Sequence, residues 1–433
     1  MDCFIIKGNV LYSSSMEKIE VCPNSFLVCE DGICRGAFAE LPDRYKAFPV
    51  YDYGDKLIIP GLTDLHIHAP QFAFRGMDMD LELMEWLQCC AFPEEIKYAD
   101  ISYAQKAYLI FAQILKESAT TRAVIFATIH QKATELLMEL LENTGLITYV
   151  GKVCMDQNAP ECLREKSAEA SAFDTIEWLN HVSGKYHRTR PILTPRFIPA
   201  CSGKLLEELG KIRRAYDLPV QSHLSENPEE IELVQSLFPE SLFYGDCYDH
   251  YDLFGSKPGA CFGGQTVMAH CVYSSGAEME LIKRNDVIVA HCPASNMNLS
   301  SGIAPVRKYL DMGIRVGLGS DVAGGQSESI FRAMTDAIQV SKMYWRLVDR
   351  NTKPLTFEEA FYMATAGGGQ FFGRVGKFEE GYEFDALVLN DEKLPHPQEL
   401  SPRRRLERFA YLGGDMTGIE AKYVAGREIA FTI

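Results

Sequence analysis

The amino-acid sequence predicts an α/β fold: a TIM-like (β/α)₈ barrel with a small β-sandwich domain built from the N- and C-terminal segments. Eight apolar strand-like segments alternate with amphipathic helical segments between residues 57 and 375. Strand-rich segments flank this region at residues 1–56 and 376–433. A doubly wound open sheet is the competing fold, but no Gly-x-Gly-x-x-Gly turn follows the first strand. We therefore expect a barrel domain at 57–375 and a terminal β domain.

The terminal segments show short alternating strands. In FIIKGNVLY and SFLVCEDGICRGAF, apolar residues alternate with polar ones, and Asp31-Gly32 predicts a hairpin turn. Strand texture returns near the end of the chain in KFEEGYEFDALVLN and EAKYVAGREIAFTI. We expect these two ends to pair with each other in one small domain.

The barrel strands follow in order along the central region. The candidates are LIIPGLTDLHIH, AVIFATIH, ITYVGKVCMD, PILTPRF, PVQSHLSE, TVMAHC, VIVAHCPASN and RVGLGSD. Amphipathic segments between them predict helices, for example YAQKAYLIFAQILKES, KATELLMELLENTG, AFDTIEWLNHVSGK and LLEELGKIRRAYD. The segment FEEAFYMATAGGGQFFG predicts a closing helix.

Composition and charge limit the class of partner. The 433 residues are 47% apolar and 24% charged, which is typical of a globular protein with a large core. Lys and Arg total 43 against 59 Asp and Glu, a net charge of −16 that disfavours nucleic acid or an anionic membrane as the main partner. Thirteen cysteines without a Cys-x-x-Cys pair favour free thiols in a reducing compartment. With no secretory signal or membrane span in the sequence, we expect a cytoplasmic protein.

Metal-ligand residue types occur where the barrel strands end. His66 and His68 lie two apart, so their imidazoles point to the same face of a strand. Later strand ends carry further candidates: His223, His270, His291 and Asp321. The carboxyl ends of barrel strands meet at one face, where active sites of this architecture lie. Three neutral imidazoles and one carboxylate suit Zn²⁺ or Fe²⁺, with a position left for water.

Glu226 follows His223 by three residues, in the segment HLSE. A carboxyl group near a metal, but not needed as a ligand, matches a hydrolytic proton shuttle. The structural alternative is that Ser225-Glu226-Asn227-Pro228 opens the next helix. The two interpretations are compatible, because helix starts form the rim of a barrel.

Several motifs resemble the amidohydrolase superfamily, in its deaminase branch. They are PGLTDLHIH, HLSEN, TVMAH, GLGSDVAGG and GYEFDALVLN. A second set resembles the guanine deaminase family and covers nearly the whole chain in order: HIHAPQF, LMEWL with AFPEE, FATIH, VGKVCMD, TPRF and SDVAGG. The resemblance implies metal-dependent hydrolysis of guanine to xanthine and ammonia, with one divalent ion (Zn²⁺, or Fe²⁺) and a homodimer.

The resemblance also implies a role for individual residues. The implied metal ligands are His66, His68, His223 and Asp321. His270 would contact the attacking water or lie at the edge of the metal, Glu226 would shuttle protons, and Asp321 would also accept a proton from water. Gln71 and Arg196 occupy the family's substrate positions, and both can meet the polar edge of a purine. Phe197 and Trp86 are candidate pocket walls, and they are equally compatible with ordinary core positions.

Other functions remain open at this point. A related amidohydrolase could act on 8-oxoguanine, an adenosine-like purine, a triazine or a cyclic amide. Two-metal relatives need a bridging Lys or Glu from strand 4, whereas here that strand ends in Pro195-Arg196-Phe197 and Lys152 lies on strand 3. An inactive scaffold relative would lack a ligand or the shuttle, and none is missing. For His130 and His291, which also end strand candidates, burial with hydrogen bonds is the favoured interpretation.

Overall fold

The computed structural model describes residues 3–256 and 264–431. Its strands are β1 Phe4–Ser15, β2 Lys18–Glu30, β3 Ile33–Phe38, β4 Val50–Pro60, β5 Leu62–His68, β6 Thr120–Phe126, β7 Ile147–Gly151, β8 Val153–Cys154, β9 Thr189–Pro191, β10 Thr194–Pro195, β11 Val220–Leu224, β12 Thr266–His270, β13 Ile288–His291, β14 Val316–Leu318, β15 Ala386–Leu389, β16 Ile419–Val424 and β17 Arg427–Glu428.

Both ends of the chain form one mixed sheet, with the strand order β17-β16-β15-β4-β1-β2-β3. The expected pairing of the two ends is therefore present. Asp31 and Gly32 have φ values of 53° and 79° and connect β2 to its antiparallel partner β3, as expected for this turn. Hydrogen bonds join all seven strands in a single sheet, whereas a β-sandwich predicts two packed sheets.

The first barrel strand is shorter than the sequence indicated. We expected Leu57 to His68 to supply one barrel strand with a break at Pro60-Gly61; the break is present, but it separates strands of two different sheets. Residues up to Pro60 belong to β4, which pairs with β1 and β15 in the terminal sheet. Gly61 allows the close passage to β5, because a Cβ there would lie 2.2 Å from the Thr121 hydroxyl. An apolar run continues across the break, and its hydrophobicity concealed the change of sheet.

The central strands form three parallel sheets: β5-β6-β7-β9, β8-β10 and β11-β12-β13-β14. A parallel bridge between Leu193, which follows β9, and Val220 of β11 joins the β5-β6-β7-β9 sheet to the β11-β12-β13-β14 sheet. The amide of Asp321, just beyond β14, donates to the carbonyl of His66 in β5 at 2.8 Å. Parallel strands thus alternate with helices in a TIM-barrel-like α/β arrangement, although no single closed sheet is formed over the described residues.

The α-helices are α1 Leu83–Trp86, α2 Phe92–Ile96, α3 Ile101–Glu117, α4 Gln131–Thr144, α5 Ala168–Val182, α6 Gly203–Tyr216, α7 Pro228–Leu237, α8 Tyr244–His250, α9 Gly276–Arg284, α10 Pro293–Asn298, α11 Val306–Asp311, α12 Ile330–Leu347, α13 Phe357–Tyr362 and α14 Pro402–Tyr411. Short 3₁₀ segments lie at Asp43–Tyr45, Ala69–Phe74, Lys97–Ala99, Glu161–Leu163, Ile198–Ala200 and Gly414–Met416. Two π-helical segments, Leu87–Ala91 and Met363–Gly367, continue α1 and α13.

Several strand ends differ from the sequence prediction. The third and fourth barrel strands are each interrupted, giving β7 with β8 and β9 with β10. The second ends at Phe126, so His130 is not at a strand end and instead precedes α4. Ala127 and Ile129 extended the apolar pattern beyond the last paired residue. The other strands end within a few residues of the expected positions.

A buried ion pair fastens the terminal sheet to the barrel. Arg122 of β6 donates to both carboxylate oxygens of Asp385, at 2.7 and 3.0 Å, and both side chains are buried. A forked guanidinium–carboxylate pair fixes both the distance and the direction between the two side chains.

None of the helices in the described part of the chain has the length and the apolar character that a membrane span requires.

Candidate active site

The two histidines of β5 face each other at its carboxyl end. Every residue of this strand is buried, and His66 and His68 lie on the same face, as their spacing predicts. The Nε2 atoms of the two rings are 3.2 Å apart. The ring planes are almost perpendicular, at 85°. The strand therefore points two nitrogens at one small volume.

His223 brings a third nitrogen from β11. Its Nε2 lies 3.2 Å from Nε2 of His68, and its Nδ1 lies 2.6 Å from the main-chain carbonyl oxygen of Arg196. Because a carbonyl oxygen only accepts, Nδ1 of His223 carries the proton and Nε2 presents its lone pair to the other two histidines. The backbone of the neighbouring strand thus sets the tautomer of this ring.

Asp321 adds a carboxylate from the segment after β14. Its Oδ1 lies 3.1 Å from Nε2 of His66 and 3.5 Å from Nε2 of His68. The residue has φ 47°, in the left-handed region that few non-glycine residues adopt. Its amide bond to the carbonyl of His66 holds this turn against β5. The strained turn aims the carboxylate at the histidines.

His270 ends β12 on the other side of Asp321. Its Nδ1 lies 2.9 Å from Oδ1 of Asn296, so Nδ1 donates to that amide oxygen and Nε2 is left as an acceptor. Nε2 is 3.6 Å from Oδ2 of Asp321 and 3.4 Å from Oε2 of Glu226. The ring therefore stands between the carboxylate of the cluster and the predicted proton shuttle.

The electrostatics of this group of side chains suit a cation. Burial lowers the pKa of His66, His68 and His223 well below the usual value, and it lowers the pKa of His270 as well. Neutral imidazoles are the form that binds metals. Lone pairs and a carboxylate oxygen packed at about hydrogen-bond distance repel each other unless a positive charge lies among them. The set therefore fits Zn²⁺ or Fe²⁺.

Glu226 is buried beside this cluster. Its Oε1 accepts a hydrogen bond from the Ser301 hydroxyl at 3.3 Å. Burial, and then the charge of Asp321, raise the pKa of the Glu226 carboxyl well above its usual value. Asn227, and not Ser225 or Glu226, caps α7 through the amide of Glu229. The side chain of Glu226 is thus left for the pocket.

A pocket opens from the cluster, and the predicted substrate residues line it. Its walls are formed by His68, Gln71, Leu83, Trp86, Leu87, Arg196, Phe197, His223, Glu226, His270, Leu299, Asp321 and Gly324. Trp86 and Phe197 are 3% and 7% exposed, so they are both wall and core. The polar groups of Gln71 and Arg196 line this pocket together with aromatic and leucine side chains.

Sequence reasoning missed three residues that support the site. Glu95 of α2 binds both Gln71 and Arg196, and Asn296 of α10 holds His270. Asp64, inside β5, accepts from the amide of His66 at 3.1 Å and from the amide of Ser320 at 3.0 Å. The signal for Asp64 and Glu95 was a charged residue within an apolar segment, which is costly unless paired.

The two remaining histidines that the sequence placed at strand ends do not line this pocket. His130 is half-buried before α4. His291 ends β13 fully buried, and no partner for either ring nitrogen is found in the described part of the chain. Burial lowers its pKa to about 3, so the ring is neutral. The expected burial of His291 is present, but the expected hydrogen bonds are not.

Comparison with known proteins gives consistent results. Residues 57–417 match the model of the amidohydrolase family. The guanine deaminase of Dictyostelium discoideum is 36% identical over 99% of this chain and 98% of its own length. The guanine deaminase of Mus musculus is 39% identical over 86% of this chain and 83% of its own length.

A solved structure agrees over the whole length. The crystal structure of guanine deaminase from C. acetobutylicum, with guanine bound in its active site, is 46% identical and covers 99% of this chain and 100% of that chain with a TM-score of 0.94. The family match, the two relatives and this structural similarity all point the same way. The chain belongs to the amidohydrolase family and, within it, to the guanine deaminases.

Proposed function

We propose that this chain catalyses the hydrolytic deamination of guanine to xanthine and ammonia. One observation carries the proposal: the buried carboxyl of Glu226 lies beside His270 and lines the same pocket as the histidine–aspartate cluster, Gln71 and Arg196. The cluster and the carboxyl together suit hydrolysis, and the two polar side chains suit a planar heterocycle with donors and acceptors along its edge.

Four side chains would hold the divalent ion: His66, His68, His223 and Asp321. Zn²⁺ is the favoured ion and Fe²⁺ the alternative, because both accept imidazole and carboxylate ligands. When bound, such an ion lowers the pKa of water and supplies hydroxide near neutral pH. Asp321 accepts the proton that water loses, and His270, with its Nδ1 fixed by Asn296, directs a ring nitrogen at the same water.

Glu226 supplies the proton that the purine needs. Addition of hydroxide at C2 puts negative charge on the neighbouring ring nitrogen N3, and a protonated carboxyl can neutralise it. Burial raises the pKa of the Glu226 carboxyl, which favours its protonated form before the attack. A second proton transfer to the exocyclic amine allows ammonia to leave as the C2 carbonyl of xanthine forms. Water supplies both protons overall: the proton of the new C2 hydroxyl passes through Glu226 to the amine, and the proton held by Asp321 then returns to Glu226.

The pocket would position guanine through both polar and apolar contacts. Arg196 offers N–H donors to acceptors of the purine edge, and Gln71 both donates and accepts. Trp86 and Phe197 supply apolar walls against the rings. Together these four side chains orient C2 toward the cluster.

Architecture and assembly complete the proposal. The three parallel sheets act as one distorted (β/α)₈ barrel that ends at residue 375 and begins after Pro60, four residues later than expected, because β4 belongs to the terminal β domain. We also propose a homodimer in the cytoplasm. Apart from Cys29, the eleven other cysteines of the described residues are free thiols, in agreement with a reducing compartment.

The test is ammonia release from guanine, with adenine, cytosine and 8-oxoguanine measured in parallel. The proposal expects kcat/KM for guanine to exceed that for each of the others by at least about tenfold, because the site's buried polar groups would be left unpaired by the wrong ring. A higher value for any other substrate would assign the site to that substrate.

A further inference from the structure

Glu95 joins the two polar side chains of the pocket. Its Oε1 accepts from Nε2 of Gln71 at 2.9 Å and from Nη2 of Arg196 at 3.0 Å, and its Oε2 accepts from Nη1 of Arg196 at 2.5 Å. All three residues are at most 3% exposed. Glu95 itself is not part of the pocket wall and lies behind it.

This carboxylate fixes the orientation of both partners. A carboxylate only accepts hydrogen bonds, so the Gln71 amide must turn its nitrogen toward Glu95. The Gln71 oxygen then accepts from the amide of Ala323 at 3.3 Å. The guanidinium of Arg196 gives one N–H from each Nη to Glu95, which leaves its other donors for the pocket. A ring contact with Phe92, at 5.1 Å, holds the same guanidinium in place.

Glu95 also balances the charge of Arg196. The other titratable groups whose electrostatics involve Glu95 are Tyr98, Tyr108 and His130. Burial raises the pKa of both tyrosines and lowers the pKa of His130, so all three are neutral near pH 7. The Arg196–Glu95 pair therefore presents hydrogen-bond donors to the pocket with little net charge.

From this arrangement we infer that Glu95 is a positioning and specificity-determining residue, which makes the pocket select a neutral purine over an anionic one. The inference rests on the proposed function. Xanthine, the proposed product, carries a second imide-type N–H in place of the amidine of guanine and is the stronger acid. It is therefore increasingly anionic as the pH rises above neutrality. An unbalanced Arg196 would retain that anion, whereas the balanced pair releases it.

The test replaces Glu95 with Gln and compares guanine turnover with xanthine inhibition at pH 6, 7 and 8.5. Glu95→Gln removes the charge and keeps the shape. We expect kcat/KM for guanine to fall by about 10- to 100-fold, mainly through KM, since misplacement of orienting groups costs up to about 100-fold. The ratio of the xanthine inhibition constant to the guanine KM should be at least about fivefold lower in Glu95→Gln than in the wild type at pH 8.5. At pH 6 this ratio should change little.

Two further variants make the result decisive. Glu95→Asp keeps the charge and shortens the side chain, so it should raise KM without changing the pH dependence of xanthine inhibition. Glu94→Gln is the matched control: Glu94 is a buried neighbour in the same helix, and its carboxylate pairs with Lys97 and Tyr103 and not with the pocket. We expect it to leave the ratio of xanthine inhibition to guanine KM as in the wild type.

The outcomes separate this inference from the proposed function. Wild-type protein that releases no ammonia from guanine contradicts the proposed function. The role of Glu95 is overturned if the wild type is active but Glu95→Gln shows no pH-dependent change, relative to the wild type, in the ratio of the xanthine inhibition constant to the guanine KM. If Glu95→Gln does not fold, Glu95→Asp decides alone: a change in the pH dependence of xanthine inhibition would overturn the charge argument, and an unchanged dependence with raised KM would support it.

Discussion

The main-chain carbonyl oxygen of Arg196 accepts a hydrogen bond from Nδ1 of His223 at 2.6 Å. One residue thereby orients an imidazole of the cluster through its backbone and lines the pocket through its side chain. The two parts of the site are therefore tied together by the segment that follows β10. A shift of this segment would disturb both the predicted metal ligand and the predicted substrate contact.

The proton shuttle is tested by Glu226→Gln. The amide keeps the size of the side chain but cannot carry the proton to the purine, so turnover should fall by about 10²- to 10⁴-fold. Metal content should stay at the wild-type level, because Glu226 is outside the proposed ligand set. Glu229→Gln, at an exposed position in the same turn, serves as the control. A Glu226→Gln protein with wild-type turnover would rule out the shuttle role.

The ligand set is tested by His223→Ala. Loss of one imidazole should weaken metal binding by more than about 100-fold, since even outer partners of ligands cost 10- to 100-fold. Metal analysis after gel filtration measures this directly. His396→Ala is a suitable control, because His396 is exposed and bonds only within its own turn at Gln398. Full metal content in His223→Ala would remove that residue from the ligand set.

The packing beneath the cluster is tested by Gly319→Ala. A Cβ at this position would lie 2.8 Å from Sγ of Cys292 and 2.9 Å from Cβ of His66, so one of them must move. We expect a loss of about 1–3 kcal/mol in the free energy of unfolding, typical of overpacking, together with weaker metal binding. Gly276→Ala, where a Cβ meets nothing within 4 Å, should be close to neutral. Equal stability of the two variants would contradict this packing.

The positions of the residues in the histidine–aspartate cluster were largely predictable from the sequence. Histidines two apart in a strand share a face, and parallel strands end at one edge, so His66, His68, His223 and Asp321 had to lie near one another if the barrel was correct. Local pattern was sufficient there because the strand period alone sets the direction of each side chain.

Partners distant in the chain were not predictable in the same way. Glu95 and Arg196 are separated by 101 positions, and no local pattern says which buried cation a buried carboxylate will meet. The division of Leu57 to His68 between two sheets was missed for a related reason. Hydrophobicity reports burial, but it does not report which neighbouring strand completes the hydrogen bonds.

Lys422 predicts a pH-dependent stability. Its ammonium group is fully buried on β16 and donates to the carbonyls of Lys116 and Thr120 at 2.7 and 3.0 Å. Burial lowers the pKa of this amine to about 7. The unfolded chain therefore binds more protons than the folded chain between about pH 7 and the usual lysine pKa of about 10.4, so stability should rise with pH across that window.

Urea unfolding at pH 7, 8 and 9 measures this effect. Lys422→Met should flatten the rise, by on the order of 1 kcal/mol per pH unit, because one pKa unit corresponds to about 1.4 kcal/mol. Lys204→Met, at an exposed position, should keep the wild-type pH dependence. Parallel curves for wild type and Lys422→Met would show that the buried amine does not titrate in this range.

We expect guanine deamination to require one divalent ion per chain, held by the histidine–aspartate cluster. The most direct measurement is the rate of xanthine formation as Zn²⁺ or Fe²⁺ is added back to chelator-treated protein. We predict no turnover without metal and a rate that rises in proportion to bound metal up to one equivalent per chain. Xanthine formation by metal-free protein, or a requirement for two equivalents, would contradict the account.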